Sequence, residues 1–258
     1  MAQKLFQVGL LALTGLYFAY NVVSGNVTNY VAAQYVWLSW LAAGLLLALA
    51  AVRLWDMVRG AAYGHDHNHE HDHAQDHTHH HDHAHATGLS AWLGLGIVAL
   101  PLLLGVLVPS KPLTGSAIEG DVGTSLSSID VVQGEALTLH PLERTVLDWI
   151  RAFLMQPDDL AAFEGQQANV VGFVARDSRF DRETQFSVVR LLMSCCVNDL
   201  QDVGLVVAWP QAGTLAEDTW VRVQGAFQVQ TFNGEPVPVL VAQSVEPVDQ
   251  PKHPYLYP

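Results

Sequence analysis

Eleven of the 13 histidines in this sequence fall in one stretch, at His65, His67, His69, His71, His73, His77, His79, His80, His81, His83 and His85. Asp66, Glu70, Asp72, Asp76 and Asp82 are interleaved with them, and no Lys or Arg is. Neutral imidazole binds zinc, copper, nickel and cobalt well, and a neighbouring carboxylate either ligates the ion or orients a ligating ring. In an extended chain residues i and i+2 point the same way, so the His-x-His alternation offers a row of imidazoles on one side. Such a tract has nothing apolar to bury, so its metal binding is expected to be multivalent and geometrically permissive. That suits a sponge, a sensor or a delivery arm better than a catalytic centre, which needs three fixed ligands and one open position. The plainer readings are a solvated linker and a segment that charges on mild acidification; an expression tag does not fit an internal, Asp-interleaved tract.

The second constellation is Arg190-Leu191-Leu192-Met193-Ser194-Cys195-Cys196-Val197-Asn198-Asp199, which holds both cysteines of the chain. Thiolate sulfur is a soft ligand for zinc or Cu(I), and Arg190 is placed in sequence to favour the thiolate. A redox pair is the second reading, although a bond between adjacent cysteines closes a strained, easily reduced ring. The third is two small buried residues at a strand end. Two cysteines cannot complete a tetrahedral site, so a metal reading must recruit Asp199, His140, His253 or another chain; His140 and His253 are each expected to be surface or structural residues.

The elements that must position these groups divide the chain in two. Only 14% of the 258 residues are charged while 50% are hydrophobic, with a mean hydropathy of +0.21, where a globular chain carries about 25% charged residues. Leu5–Val23, Tyr30–Trp55 and Leu89–Val108 are each long enough to cross about 30 Å of hydrocarbon as helix, which predicts three spans in a transmembrane region 1–109, with the histidine loop at 64–87. A cleaved signal peptide is the alternative for the first block. Lys4, Arg53 and Arg59 flank the ends that the positive-inside rule places in the cytoplasm, while Lys111 counts against it. The N-terminus and histidine loop are therefore expected in the cytoplasm and the C-terminal part outside a plasma membrane.

After a linker at 110–139, residues 140–258 read as a soluble domain. His140–Met155 has helical apolar spacing, and five strand-like runs follow at Ala168–Ala175, Gln185–Met193, Val203–Trp209, Trp220–Gln230 and Val237–Val245. Asn233-Gly234 between the last two is a hairpin signal. The expected fold is an α+β membrane protein: three N-terminal transmembrane helices followed by a mainly β, five-stranded OB-like barrel, with a small β-sandwich as the alternative. A net charge of -13 argues against nucleic acid as a partner, because phosphate neutralisation needs clustered Lys and Arg.

Several of these segments carry a resemblance: the N-terminal spans, Gly172-Phe173-Val174, Arg190 with Cys195-Cys196-x-x-Asp199, Trp220-Val221-x-Val223-x-Gly225 and Pro254-Tyr255-Leu256-Tyr257. Together they resemble the uncharacterised YcgQ-type permease-subunit family over nearly the whole chain. The resemblance implies work beside a separate multi-spanning permease and a link to metal homeostasis, and it makes Cys195, Cys196 and Asp199 the leading candidates for a working site. Asn198 departs from the Ala that the family often has before this Asp. The resulting expectation is a non-enzymatic accessory subunit in the lipid bilayer, handling a transition-metal ion, zinc by preference. A membrane-anchored thiol oxidoreductase using Cys195 and Cys196, or a non-catalytic docking module, is the rival.

Overall fold

The computed structural model describes residues 2–62, 89–115, 138–176, 178–179, 181–232 and 235–258. It divides into two compact units, one of Met1–Val27 with Gln34–Lys111 and one of Thr28–Ala33 with Pro112–Pro258.

The first unit is helical: α1 (Ala2–Val23), α2 (Val36–Ala62) and α3 (Leu89–Leu107). Leu, Ala and Val fill these helices on all sides, so Leu13, Leu16, Leu45, Trp55, Ile97 and Val106 remain exposed. Helices apolar all round need lipid or protein around them. Among the described residues two helices are long and apolar enough to cross a membrane, at Gln3–Val23 and Ala33–Arg59; a signal sequence also has this character. Three spans were expected, but the described apolar part of α3, Trp92–Leu107, is shorter than the other two. The Tyr17 hydroxyl donates to the Gly105 carbonyl at 2.8 Å, so α1 and α3 meet closely where Gly105 has no side chain.

The second span was expected to begin at Tyr30, yet helix begins only at Val36, after a short 3-10 turn at Ala33–Tyr35. The aromatic and β-branched residues before it pair elsewhere. Val31 forms a lone antiparallel bridge to Cys196 in the second unit.

That second unit is a closed barrel of β1 (Gln167–Ala175), β2 (Gln185–Leu192), β3 (Gln201–Ala208), β4 (Trp220–Phe232) and β5 (Glu235–Pro247). Going round, β1 pairs with β2, β2 with β3, β3 with β5, β5 with β4 and β4 with β1; the β3–β5 pairing alone of these is parallel. Closure removes the free edges that a sandwich would have to protect, and the order is compatible with the OB-like expectation. Phe232 stands opposite Glu235, and the Asn233-Gly234 pair between them lies outside the described residues.

Helix α4 (Val146–Met155) precedes β1, with a capping box in which the Thr145 N–H donates to Asp148 at 2.9 Å and the Asp148 N–H to the Thr145 hydroxyl at 3.3 Å. Its Trp149 and Phe153 pack with Phe227 of β4, ring centroids 4.6 and 5.3 Å away, in the main core. A second core lies on the other face of β1 and β2, where Phe173, Val189, Leu191, Met193 and Trp220 are covered by Tyr255 and Ala32. Tyr255 belongs to a sixth short strand, β6 (Tyr255–Leu256), parallel to β2. With both faces covered, β2 is buried almost throughout.

Strand β4 shifts register against β5 at Gln224/Gly225, and there a β-carbon on Gly225 would run into the Val241 carbonyl oxygen. Backbone cannot give way as a side-chain tip can. Gly225→Ala is therefore expected to destabilise the barrel by about 2–3 kcal/mol, read as a lower urea midpoint of the tryptophan fluorescence transition. An unchanged midpoint would show that the bulge relaxes freely.

Candidate metal centre

Strand β2 ends at Leu192, and the N–H of the next residue, Met193, donates to the Leu256 carbonyl at 2.9 Å. The loop that follows folds around one carboxylate. Asp199 accepts from the Ser194 N–H at 3.0 Å on Oδ1, and from the Cys195 and Cys196 N–H groups at 2.6 and 3.3 Å on Oδ2. Cys196 caps the short 3-10 turn Val197–Asp199, and Asp199 closes that capping box. The spacing Cys195-Cys196-x-x-Asp199 is thus a device for turning the chain sharply and holding both thiols on the outside of the turn.

Both cysteines are free, Cys195 exposed and Cys196 half-buried, with their sulfurs 3.6 Å apart. Ligand atoms of Cys195, Cys196 and Asp199 all lie within 4.8 Å of one another. Two thiolates bound at about 2.3 Å to one tetrahedral zinc stand roughly 3.8 Å apart, so the sulfurs are already near a chelating separation. Asp199 Oδ1, with one backbone donor, keeps a lone pair that can serve as the third donor. The set is two soft sulfurs and one oxygen with a coordination position left over, which suits zinc or Cu(I).

Electrostatics set the resting state. The Asp199 carboxylate, and then the Cys196 thiol, push the Cys195 thiol up to about 12, so it is protonated at neutral pH. Burial raises the Asp199 carboxyl, but the Cys195 thiol and the three backbone N–H groups outweigh it and hold the carboxyl below the usual range. A redox nucleophile needs the opposite environment, one that lowers the thiol pKa.

Arg190 does not act on the thiols as its sequence position suggested. Buried on β2, its guanidinium donates to the carbonyls of Pro254, Val171 and His253 at 3.0, 3.3 and 2.9 Å and stacks over Trp220. Desolvation pulls it down to about 10, and it remains charged at neutral pH. Its work is to pin the C-terminal segment to the barrel. His253 supplies only a backbone carbonyl there, and His140 uses Nδ1 to accept from the Leu142 N–H at 3.4 Å. Neither belongs to the Cys195–Cys196–Asp199 group. The eleven histidines from His65 to His85 lie outside the described residues.

Sequence reasoning missed the segment that flanks the thiols. The Ala32 N–H donates to the Cys195 carbonyl at 3.0 Å and the Val197 N–H donates to the Tyr30 carbonyl at 2.9 Å, so the connection between α1 and α2 grips the loop on both sides of Cys196. The Tyr255 hydroxyl adds a second tie, accepting from the Leu113 N–H at 2.8 Å and donating to the Asn29 carbonyl at 3.3 Å. Val31 between Tyr30 and Ala32 was read as part of the second span, Tyr30–Trp55, so its pairing with the cysteine loop went unseen.

The N-terminal domain model of the DUF1980 family matches residues 6–122, and its C-terminal domain model matches residues 143–258. No curated protein matches the chain. Helical unit and barrel with its paired cysteines correspond to the two domains of one family, and the chain belongs to the DUF1980 family.

Proposed function

We propose that this chain is a membrane-embedded accessory subunit that passes a transition-metal ion, zinc by donor preference, to or from a multi-spanning permease, as its YcgQ-type resemblance implies. The observation that carries this reading is the Cys195–Cys196–Asp199 group: two sulfurs at near-chelating distance, with Cys195 exposed and Cys196 half-buried, and one ligand short of a closed site. Structural zinc sites close all four positions, whereas an open and accessible set can take a ligand from a partner and release the ion again. The pushed-up Cys195 thiol is a weak nucleophile at neutral pH, and a metal must likewise displace its proton, so the geometry of the three donors rather than this shift carries the metal reading.

In this reading α1, α2 and α3 all cross the bilayer, with the N-terminus and the histidine loop in the cytoplasm. The loop gathers or senses the ion on one side and the thiols handle it on the other. A partner is required because an ion path normally places ionisable residues inside the bundle, and the uncharged helix interiors here supply none between Leu5 and Val52. An incoming cation displaces the thiol protons and draws the two sulfurs onto itself. The Cys195–Asp199 loop is hydrogen-bonded to Tyr30 and Ala32, so its occupancy is felt by the connection between α1 and α2.

The test is cellular metal content with wild type, with no chain, and with Cys195→Ser/Cys196→Ser at equal level in the membrane fraction. The double variant is expected to match the strain without the chain, and wild type is expected to co-purify with a multi-spanning membrane protein. Metal content in the double variant equal to wild type would sink the proposal.

A further inference from the structure

The helical unit holds an open-sided cavity of about 920 Å³ lined by α1, α2 and α3, apart from anything the thiol site uses. Its walls are largely apolar, with Leu10 and Leu11 from α1, Leu46 from α2 and Val98 from α3, but Lys4, Arg53 and Asp56 also line it. Lys4 lies at the start of α1, and Arg53 and Asp56 lie in the C-terminal half of α2. None of the three forms an ion pair with a described residue. All three side chains are exposed, so they stand where a headgroup of matching charge can reach them.

The geometry points to a binding site for an anionic phospholipid, with its phosphate on Lys4 and Arg53, its chains along Leu10, Leu11, Leu46 and Val98, and Asp56 placed to accept from a headgroup hydroxyl. Two cations against one carboxylate leave a net positive charge in a chain whose formal charge is -13, so the site attracts an anion that the rest of the surface repels. Basic pockets between transmembrane helices are a recurring form of headgroup recognition, and each Lys or Arg contributes about fivefold in affinity near a membrane surface. The volume is at the upper end of a small-molecule pocket and leaves room for acyl chain as well as headgroup. This site rests on the reading that the helices lie in lipid, but not on the metal chemistry.

The test is native mass spectrometry of the full chain released from nanodiscs containing equal phosphatidylglycerol and phosphatidylcholine. Wild type is expected to retain phosphatidylglycerol selectively, and Lys4→Gln/Arg53→Gln to lower that retention about 30-fold. Leu46→Trp, which keeps both cations and fills the apolar end, is expected to displace the lipid too. Arg59→Gln, whose guanidinium stacks on Trp55 and does not line the cavity, is expected to change nothing. Equal retention of the two lipids, equal loss in Arg59→Gln, or displacement by free glycerol phosphate at millimolar concentration would overturn the proposal. A chain that fails to enter nanodiscs would instead refute the membrane reading on which it rests.

Discussion

Cys195→Ser/Cys196→Ser is expected to weaken zinc binding at the barrel at least about a thousandfold, measured by competition with a chromogenic chelator on the full chain whose residues 65–85 are replaced by a Gly/Ser linker. That background is needed because the histidines of the loop would otherwise bind ions of their own. The size follows from the share that two thiolates hold in the apparent 10–16 kcal/mol of a four-ligand zinc site, of which a few kcal/mol is already three powers of ten. Serine keeps the shape of the loop, whose backbone bonds to Asp199 do not involve sulfur. Folding is therefore expected to survive, and the loss belongs to the ligands.

The pH dependence has a fixed sign. The Cys195 thiol, pushed up to about 12 by Asp199 and Cys196, must lose its proton to bind, so affinity falls at least tenfold for each unit that pH drops between 8 and 6. Asp199 moves the other way. Its carboxyl is held below the usual carboxylate range, so its clamp on the loop is complete above that range and is lost only as pH falls through the lower folded value. Across the range where the thiols compete with protons the loop keeps its form. Binding confined to the histidine tract, with no difference between thiol and serine, would remove the barrel from the metal chemistry.

How much of this was legible in the sequence depended on whether the cause was local. The alternation of apolar residues in the five barrel strands is a property of neighbours, and the observed strands Gln167–Ala175 through Glu235–Pro247 start or end within a few residues of where that alternation put them. Cys195, Cys196 and Asp199 come together for the same reason, since a capping box spans only a few residues. Arg190 was misjudged because its partners, Val171, His253 and Pro254, are distant in sequence and reach it only when β1 and the C-terminal segment converge on β2. The short β6 was also invisible. Two residues have no period, and Tyr255 is recognisable as core only once the second face of β2 needs a cover.

An impermeant maleimide is expected to label Cys at position 24 and Cys at position 110 in intact cells, and Cys at position 74 only after permeabilisation. The substitutions are Ser24→Cys, Ser110→Cys and Ala74→Cys, each alone in the Cys195→Ser/Cys196→Ser chain. The contrast is all-or-none because a bilayer either separates a thiol from the reagent or does not. It follows from connectivity. Tyr30 and Ala32, between α1 and α2, are hydrogen-bonded to Val197 and Cys195 of the unit that holds Pro112–Pro258, and bonded backbone lies on one side of a membrane. On the membrane reading proposed above, the chain would leave that side along α2, which ends at Ala62, and among the described residues α3 is the helix that would return it by Pro112. The expected labelling therefore requires α3 to cross despite its short described apolar stretch, which tilt or local thinning would accommodate. On the same reading the positive-inside rule, applied to Lys4, Arg53 and Arg59 at the opposite ends of α1 and α2, would put positions 24 and 110 outside. Labelling of position 110 with protection of position 24 would show that α3 does not cross, and loss of an N-terminal tag from the mature chain would make α1 a cleaved signal.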